Sequence, residues 1–440
     1  MNSLIIIFLT LLALLLVCKM FSPNVLLTPE FGYVVCFIPQ TLYCFYYVDK
    51  WEINLHPSTT LTLTIGPLIF VVVSIFTRYV ARRSHTIGYR KFLATSQDAL
   101  PNVNKSIYGW KLYLILGFQF IVLLWTVREL LSNYGVGRLA IAINLYRSNN
   151  LFTDNIFRLP AILRASREFC IAAGFIWTYL VAQAIVYKKK DNLVLLILNL
   201  ALSVINNSIL GGRTGIFQYA VSFFVIYYFL SSKRKKFKNI IKGKHILLGC
   251  AILAIAIFTF QSFGNLLGRE DSRNAFDYMA IYLSGEIKNL DIFIRNGKFG
   301  ADISKVQTLL GGVNFIGQTF HIDSIVHTSD IPFHYINGYS LGNVYTTYYS
   351  YIYDLGFIGV PIFTSIMAII CQLTYQSILE TKCYKVNLRL LLYSYFYFTI
   401  IFSFFHTKFY EMVVSVAFLK MIIYWIILLY FIFKVKVRSS

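Results

Sequence analysis

The chain has 440 residues, of which 57% are hydrophobic and only 13% charged, with a mean hydropathy of +0.64. That balance excludes a soluble protein, whose core could not absorb so much apolar surface, and disorder, which needs the opposite composition. The net charge of +21 is not by itself a nucleic-acid signal, because a membrane chain sorts its Lys and Arg by side.

A helix needs about 20 apolar residues to cross the hydrocarbon core. On that basis the sequence predicts an all-α polytopic membrane protein of about eleven spans. They lie near Ser3–Phe21, Phe31–Val48, Leu61–Val80, Trp110–Thr126, Phe169–Tyr187 and Leu193–Leu210, then Ile216–Leu230, Ile246–Phe263, Leu355–Ile378, Leu390–Phe405 and Val413–Phe433. Pro39 and Gln40 interrupt the second. The first reads as a retained helix and not a signal peptide, because no basic residue precedes it and Lys19 follows it. Seven cysteines follow no CxxC or Cys/His spacing, and most sit in apolar runs as small hydrophobes.

The run Lys233-Arg234-Lys235-Lys236 is the strongest cytoplasmic signal. Alternating from it, Arg82, Arg83, Lys188, Lys189, Lys190 and the tail around Lys436 all fall on the same side. The expected topology is N-terminus outside and C-terminus inside, with nearly all the net charge on the cytoplasmic face, where anionic lipid attracts it. Two connections are long, and both are expected outside. This divides the chain into spans over 1–126, an external arginine-rich segment over 127–168, central spans over 169–263, a large external loop over 264–354, and C-terminal spans with a basic tail over 355–440. Ala140–Leu145 and Tyr278–Ile292 within the long connections carry amphipathic helical spacing, which suits helices lying at the interface.

The first external segment holds Arg128, Arg138, Arg147, Arg158, Arg164 and Arg167 and no lysine. Arginine grips phosphate or carboxylate bidentately where lysine offers a point charge. Pairing with Glu129, Asp154 or Glu168, or with lipid headgroups, is the alternative for any one of them. Gly211-Gly212-Arg213-Thr214-Gly215 lies between two apolar runs. An arginine there should face the bundle interior, flanked by glycines that admit a close neighbour, with a helix starting at Thr214 aiming free N–H groups at an anion. A tight turn whose arginine snorkels to headgroups is the other reading. Lys420 in the last span is expected to pair with an acid.

The segment Gly338-Tyr339-Ser340-Leu341-Gly342-Asn343-Val344-Tyr345-Thr346-Thr347 continues to Asp354-Leu355-Gly356-Phe357-Ile358-Gly359. Seven tyrosines (335, 339, 345, 348, 349, 351 and 353) crowd this stretch. They suit either a membrane-interface belt or a sugar-binding surface.

Together, the external Gly-Gly-Arg-Thr-Gly turn, the late large loop and the Asn-Val-Tyr-Thr segment followed by Asp-Leu-Gly-x-x-Gly resemble the Wzy-type polymerases, which build O-antigen and capsular polysaccharides in bacterial envelopes. The resemblance covers the topology and roughly residues 205–375 in detail. An Arg-x10-Gly pattern described for external loops of some members is absent. The resemblance implies a glycosyltransferase of the bacterial plasma membrane that moves a glycan from polyprenyl pyrophosphate onto a new lipid-linked repeat unit at the external face. It further implies an exporter and a chain-length regulator as partners beside membrane lipids, and no nucleic acid. It assigns Arg213 to the small-residue/Arg/Thr turn and Asn343, Tyr345, Asp354 and Gly356 to the late motif.

A pyrophosphate leaving group needs charge stabilisation more than protonation, so Arg213, Arg269 and Arg273, with Thr214, are expected to bind substrate without cofactor or metal. Asn343 and Tyr345 join them from the late motif. The acceptor hydroxyl needs a base; His321, His334 and Asp354 are the leading catalytic candidates, with His327, Asp323 and Asp330 nearby. The histidine spacings match no closed zinc pattern. An O-antigen ligase would share these features. A lipid-linked oligosaccharide exporter should instead show repeated halves and short loops, and neither is present.

Overall fold

The computed structural model describes residues 1–22, 27–84, 107–152, 157–212, 214–234, 275–297, 299, 306–379 and 386–434. The expected span Ile246–Phe263 lies outside them. Among the described residues the structure is α-helical apart from one small hairpin, as an all-α membrane protein would be. Seven of its described helical segments are long and apolar enough to cross a membrane: Asn2–Phe21, Pro57–Ala81, Gly109–Tyr134, Ala161–Tyr187, Thr214–Lys233, Tyr348–Leu379 and Val416–Phe433. The expected spans at Leu193–Leu210 and Leu390–Phe405 are shorter apolar helices.

The residues fall into two compact units, the first made of 1–99, 276–381 and 396–418, the second of 100–275, 382–395 and 419–440. The first unit begins with α1 (Asn2–Phe21), α2 (Pro29–Tyr46) and α3 (Pro57–Ser84). Thr28 caps α2, its hydroxyl accepting from Phe31 N at 3.4 Å, and Pro29 supplies the preset backbone angle of a first helical residue. Glu30 and Arg78 form a buried ion pair between α2 and α3. The helix continues through Pro39, a residue tolerated inside membrane helices because neighbouring groups take over the freed carbonyl.

The second unit contributes α4 (Gly109–Tyr134), α5 (Leu139–Phe152), α6 (Ala161–Tyr187), α7 (Leu193–Ser208) and α8 (Thr214–Arg234). The first unit resumes with α9 (Ala275–Asn296), α10 (Leu310–Phe320), and a hairpin of β1 (His334–Ile336) and β2 (Tyr339–Gly342). In chain order there follow α11 (Tyr348–Leu355) and α12 (Gly359–Leu379) in the first unit, α13 (Leu388–Ile401), which begins in the second and ends in the first, α14 (Lys408–Val413) in the first, and α15 (Val416–Phe433), most of it in the second.

Helix α9 corrects an expectation. Its amphipathic spacing suggested a helix resting at the membrane interface, yet it is buried on nearly every side, with Ser284, Glu286, Asn289 and Asp291 all inaccessible. The reason is that its polar groups find protein partners. Asp291 accepts from His56 N at 2.7 Å and Thr59 Oγ1 at 2.8 Å, closing the start of α3, and from Arg295 Nε at 2.8 Å. Asp277 accepts from the Tyr47 hydroxyl.

The tyrosine-rich stretch is likewise neither a belt nor an open surface over most of its length. Tyr345, Tyr348, Tyr349 and Tyr351 are at most 1% exposed. Tyr33 OH donates to Tyr348 OH at 3.0 Å, and the Tyr348 ring stacks on Phe37. Tyr335, at 70% exposure, is open to solvent or lipid.

Candidate functional site

In the second unit, α7 carries Asn199, Ser203 and Asn206 at offsets of four and three, which puts them on one face of an otherwise apolar helix. They meet Gln119 of α4: Gln119 Nε2 donates to Asn199 Oδ1 at 3.4 Å, Ser203 Oγ donates to Gln119 Oε1 at 3.2 Å, and Asn206 Nδ2 donates to the Gln119 carbonyl at 3.2 Å. Such side chains tie apolar helices together where the hydrophobic effect gives no preference.

This polar seam ends at Arg167 of α6, only 5% exposed. Its guanidinium donates to Asn206 O at 2.8 Å and Thr126 Oγ1 at 3.3 Å. Both partners are neutral, and among the described residues none of its partners is a carboxylate. A buried charge without a counter-charge costs several kcal/mol, on the order of the whole margin of stability. Such a group is characteristic of a site completed by an anion.

The Gly211–Gly212 turn follows directly on α7. Gly211 has φ +85°, a left-handed conformation that L side chains resist, and a Cβ there would lie 3.3 Å from Ile143 and 3.5 Å from Arg147 of α5. The glycine thus lets the turn tuck under α5, and Ile143 packs with Leu130, Ala142 and Ile209 to hold it. Thr214 is exposed at the first position of α8. Arg213, Arg269 and Arg273 lie outside the described residues. Lys420 meets Glu168 at 3.1 Å, the acid partner expected for it.

In the first unit the hairpin presents a second cluster. His334 Nε2 and Tyr345 OH are 2.8 Å apart, and Tyr345 OH donates to Pro332 O at 3.0 Å. A hydroxyl has one proton to give, so His334 carries hydrogen on Nε2 and donates to the tyrosine oxygen, leaving Nδ1 with its lone pair. Burial pushes the His334 imidazole below the usual histidine range, so it is neutral at neutral pH.

The remaining sequence candidates separate. Asp354 accepts from Gln307 N and Thr308 N, each at 2.7 Å, and so pins the segment entering α10. Gln307 Oε1 accepts from Asp330 N at 2.9 Å, and Tyr353 OH donates to Asp330 Oδ2 at 3.1 Å. Asp354 therefore builds the loop. His321 ends α10 in a left-handed conformation, exposed, and Asn343 is exposed after β2. His327 bonds through its two ring nitrogens to the Ile325 and Val306 carbonyls. Of the candidates, the structure brings His334 and Tyr345 together.

Glycines of the late motif have a similar structural task. Gly356 turns the chain between α11 and α12 at φ +64° and ψ −160°, a region essentially closed to other residues. Among the described residues no three His, Cys, Asp or Glu side chains converge as a metal site.

Arg167 is one of six arginines in the segment that the sequence reading expects outside, and burial is what distinguishes it. The signal that could have found its surroundings is the Asn199, Ser203, Asn206 spacing within an apolar run. No protein-family model, no curated protein and no solved structure matches the chain.

Proposed function

We propose that this chain is a membrane glycosyltransferase that lengthens a lipid-linked polysaccharide at the external face of the bacterial plasma membrane. The observation that carries the reading is Arg167, a buried guanidinium whose partners, Thr126 and the Asn206 carbonyl near the end of α7, are both neutral. Pyrophosphate on a polyprenyl carrier is the anion that this reading places there. Arg147, which lies against Gly211, would add charge.

In the reaction, the bond between the anomeric carbon of the donor glycan and the pyrophosphate oxygen breaks. Polyprenyl pyrophosphate departs with the electron pair, stabilised by the arginines. A hydroxyl of the lipid-linked acceptor unit forms the new bond to that carbon and gives up its proton. That proton passes to a general base.

The test is the surface glycan of a strain lacking the gene. The expected result is collapse of a ladder of chain lengths to a single repeat unit on its final carrier, because ligation and export still proceed. Loss of even that single unit would show a ligase or an exporter instead.

A further inference from the structure

Helix α10 carries no charged residue, and two contacts within the first unit fix where it starts. Just before the helix, Gln307 N and Thr308 N donate to the Asp354 carboxylate at 2.7 Å each. In its first turn, a Cβ on Gly311 would lie 3.4 Å from the Val414 carbonyl oxygen, and one on Gly312 would lie 3.2 Å from Val414 Cγ1. Both anchors stand where spanning helices begin. The 21 residues of α12 are about 31 Å long and cover the hydrocarbon core unaided, which puts Gly359 and the turn after Asp354 at a membrane boundary. Val416 opens α15 two residues after Val414. The first turn of α10 therefore lies at that boundary, and its 11 residues, about 16 Å, are too few to cross.

One face of α10 is turned to the protein. Asn314 Nδ2 donates to His327 O at 2.8 Å, and His327 N donates to Asn314 Oδ1 at 3.1 Å. A Cβ on Gly317 would press on Val326 and Ile325. The other face is apolar and open. Phe315 and Ile316 are about half exposed and Phe320 is 70% exposed, with Ile322 exposed just beyond the helix. Spacings of four residues place 315 with 319 and 316 with 320 on one stripe. Thr319, the polar member, donates its hydroxyl to Phe315 O at 2.7 Å, within its own helix. Gln318 is exposed at the margin.

The exposed apolar surface does not stop at α10. Leu355, Phe357 and Ile358 at the turn into α12 are exposed, and so is Val414 at the second anchor. These residues belong to the ends of the spans, whose outer surface is the lipid-facing one. We propose that α10 lies in the membrane interface, with Phe315, Ile316 and Phe320 inserted among the acyl chains just below the headgroups. With no Lys or Arg in the helix, the insertion is apolar and owes nothing to anionic lipid. The position at the interface that the spacing of α9 suggested is thus taken by α10. The anchor ties the 306–330 segment to the lipid surface, and it rests on the membrane reading of the chain, independently of the glycosyltransferase reading.

The experiment uses the purified full-length protein in lipid nanodiscs, which leave both faces open to the buffer. Phe320→Cys is labelled with the polarity-sensitive fluorophore NBD, and wild type treated alike supplies the signal of the native cysteines for subtraction. The label should emit to the blue of the same dye in buffer, lose most of its emission to lipids bearing a nitroxide on the acyl chain, and resist iodide in the water. Phe315→Cys, on the same stripe, should respond in the same way. Both should give equal quenching in phosphatidylcholine and in its mixture with phosphatidylglycerol. Quenching by iodide and not by the acyl-chain nitroxide would put α10 in water and overturn the proposal. Quenching by neither would show the stripe covered by protein, a second copy of the chain, and would overturn it equally. Penetration that needs phosphatidylglycerol would show docking by charge, which contradicts an apolar insertion.

Discussion

Arg167→Gln, accumulated to wild-type level, is expected to leave no more than about one hundredth of the normal amount of chains longer than one repeat. Donors aimed at developing charge are typically worth 10²–10³ in rate. Arg167→Lys should fall between the two, since an ammonium keeps the charge but loses the planar fork that reaches Asn206 and Thr126 together. The fold should barely notice. The variant loses two hydrogen bonds of about 1 kcal/mol each, offset by removal of a buried charge without a carboxylate partner. Stability is therefore expected to move by no more than about 1–2 kcal/mol. Paired glycan profiles and unfolding midpoints would check this. Full-length chains from Arg167→Gln would remove the arginine from the mechanism. A large loss of stability would show that Arg167 is a packing residue.

Gly359→Ala should have the opposite signature, with little protein left to assay. A Cβ at Gly359 would overlap the Tyr351 carbonyl oxygen of α11, and the turn at Gly356 holds α11 against the start of α12. Backbone faces backbone, so no side chain can rotate away. The expected cost is about 4 kcal/mol or more, in the range where single substitutions exhaust a typical stability margin. The readout is the fraction of expressed protein that elutes as a single species after detergent extraction. A normal yield and midpoint would show that α12 can slide along α11, contrary to the packing described here. With Asp354 pinning Gln307 and Thr308, this result would make the Asp-Leu-Gly-x-x-Gly signature an architectural motif.

These two residues mark what a sequence can and cannot disclose. The helices of the long uncharged runs were legible, because hydropathy over 20 residues is a local property: α1, α8 and α15 lie close to the expected spans, while α4 ends and α6 begins well outside theirs. Helix α9 was legible as a helix but its place was not. Five charged residues in its 22 read as a surface face. The groups that receive them, Tyr47, His56 and Thr59, stand 230–235 positions away in the chain. The same non-local packing takes four tyrosines of the late segment into the interior, where their sequence context suggested an interface. Arg167 looked like its neighbours Arg164 and Arg158, since only the meeting of α4, α6 and α7 buries it. Pairing of His334 with Tyr345 likewise depends on the hairpin's fold, which brings residues 11 positions apart within a hydrogen bond.

The most direct measurement uses the purified protein in lipid vesicles with lipid-linked repeat units extracted from the strain lacking the gene. Our account predicts products of two, three and more repeats on the lipid carrier, with one polyprenyl pyrophosphate released for each bond formed, and none from Arg167→Gln. Release of the carrier only when a glycolipid core acceptor is added, with no lengthening, would contradict it.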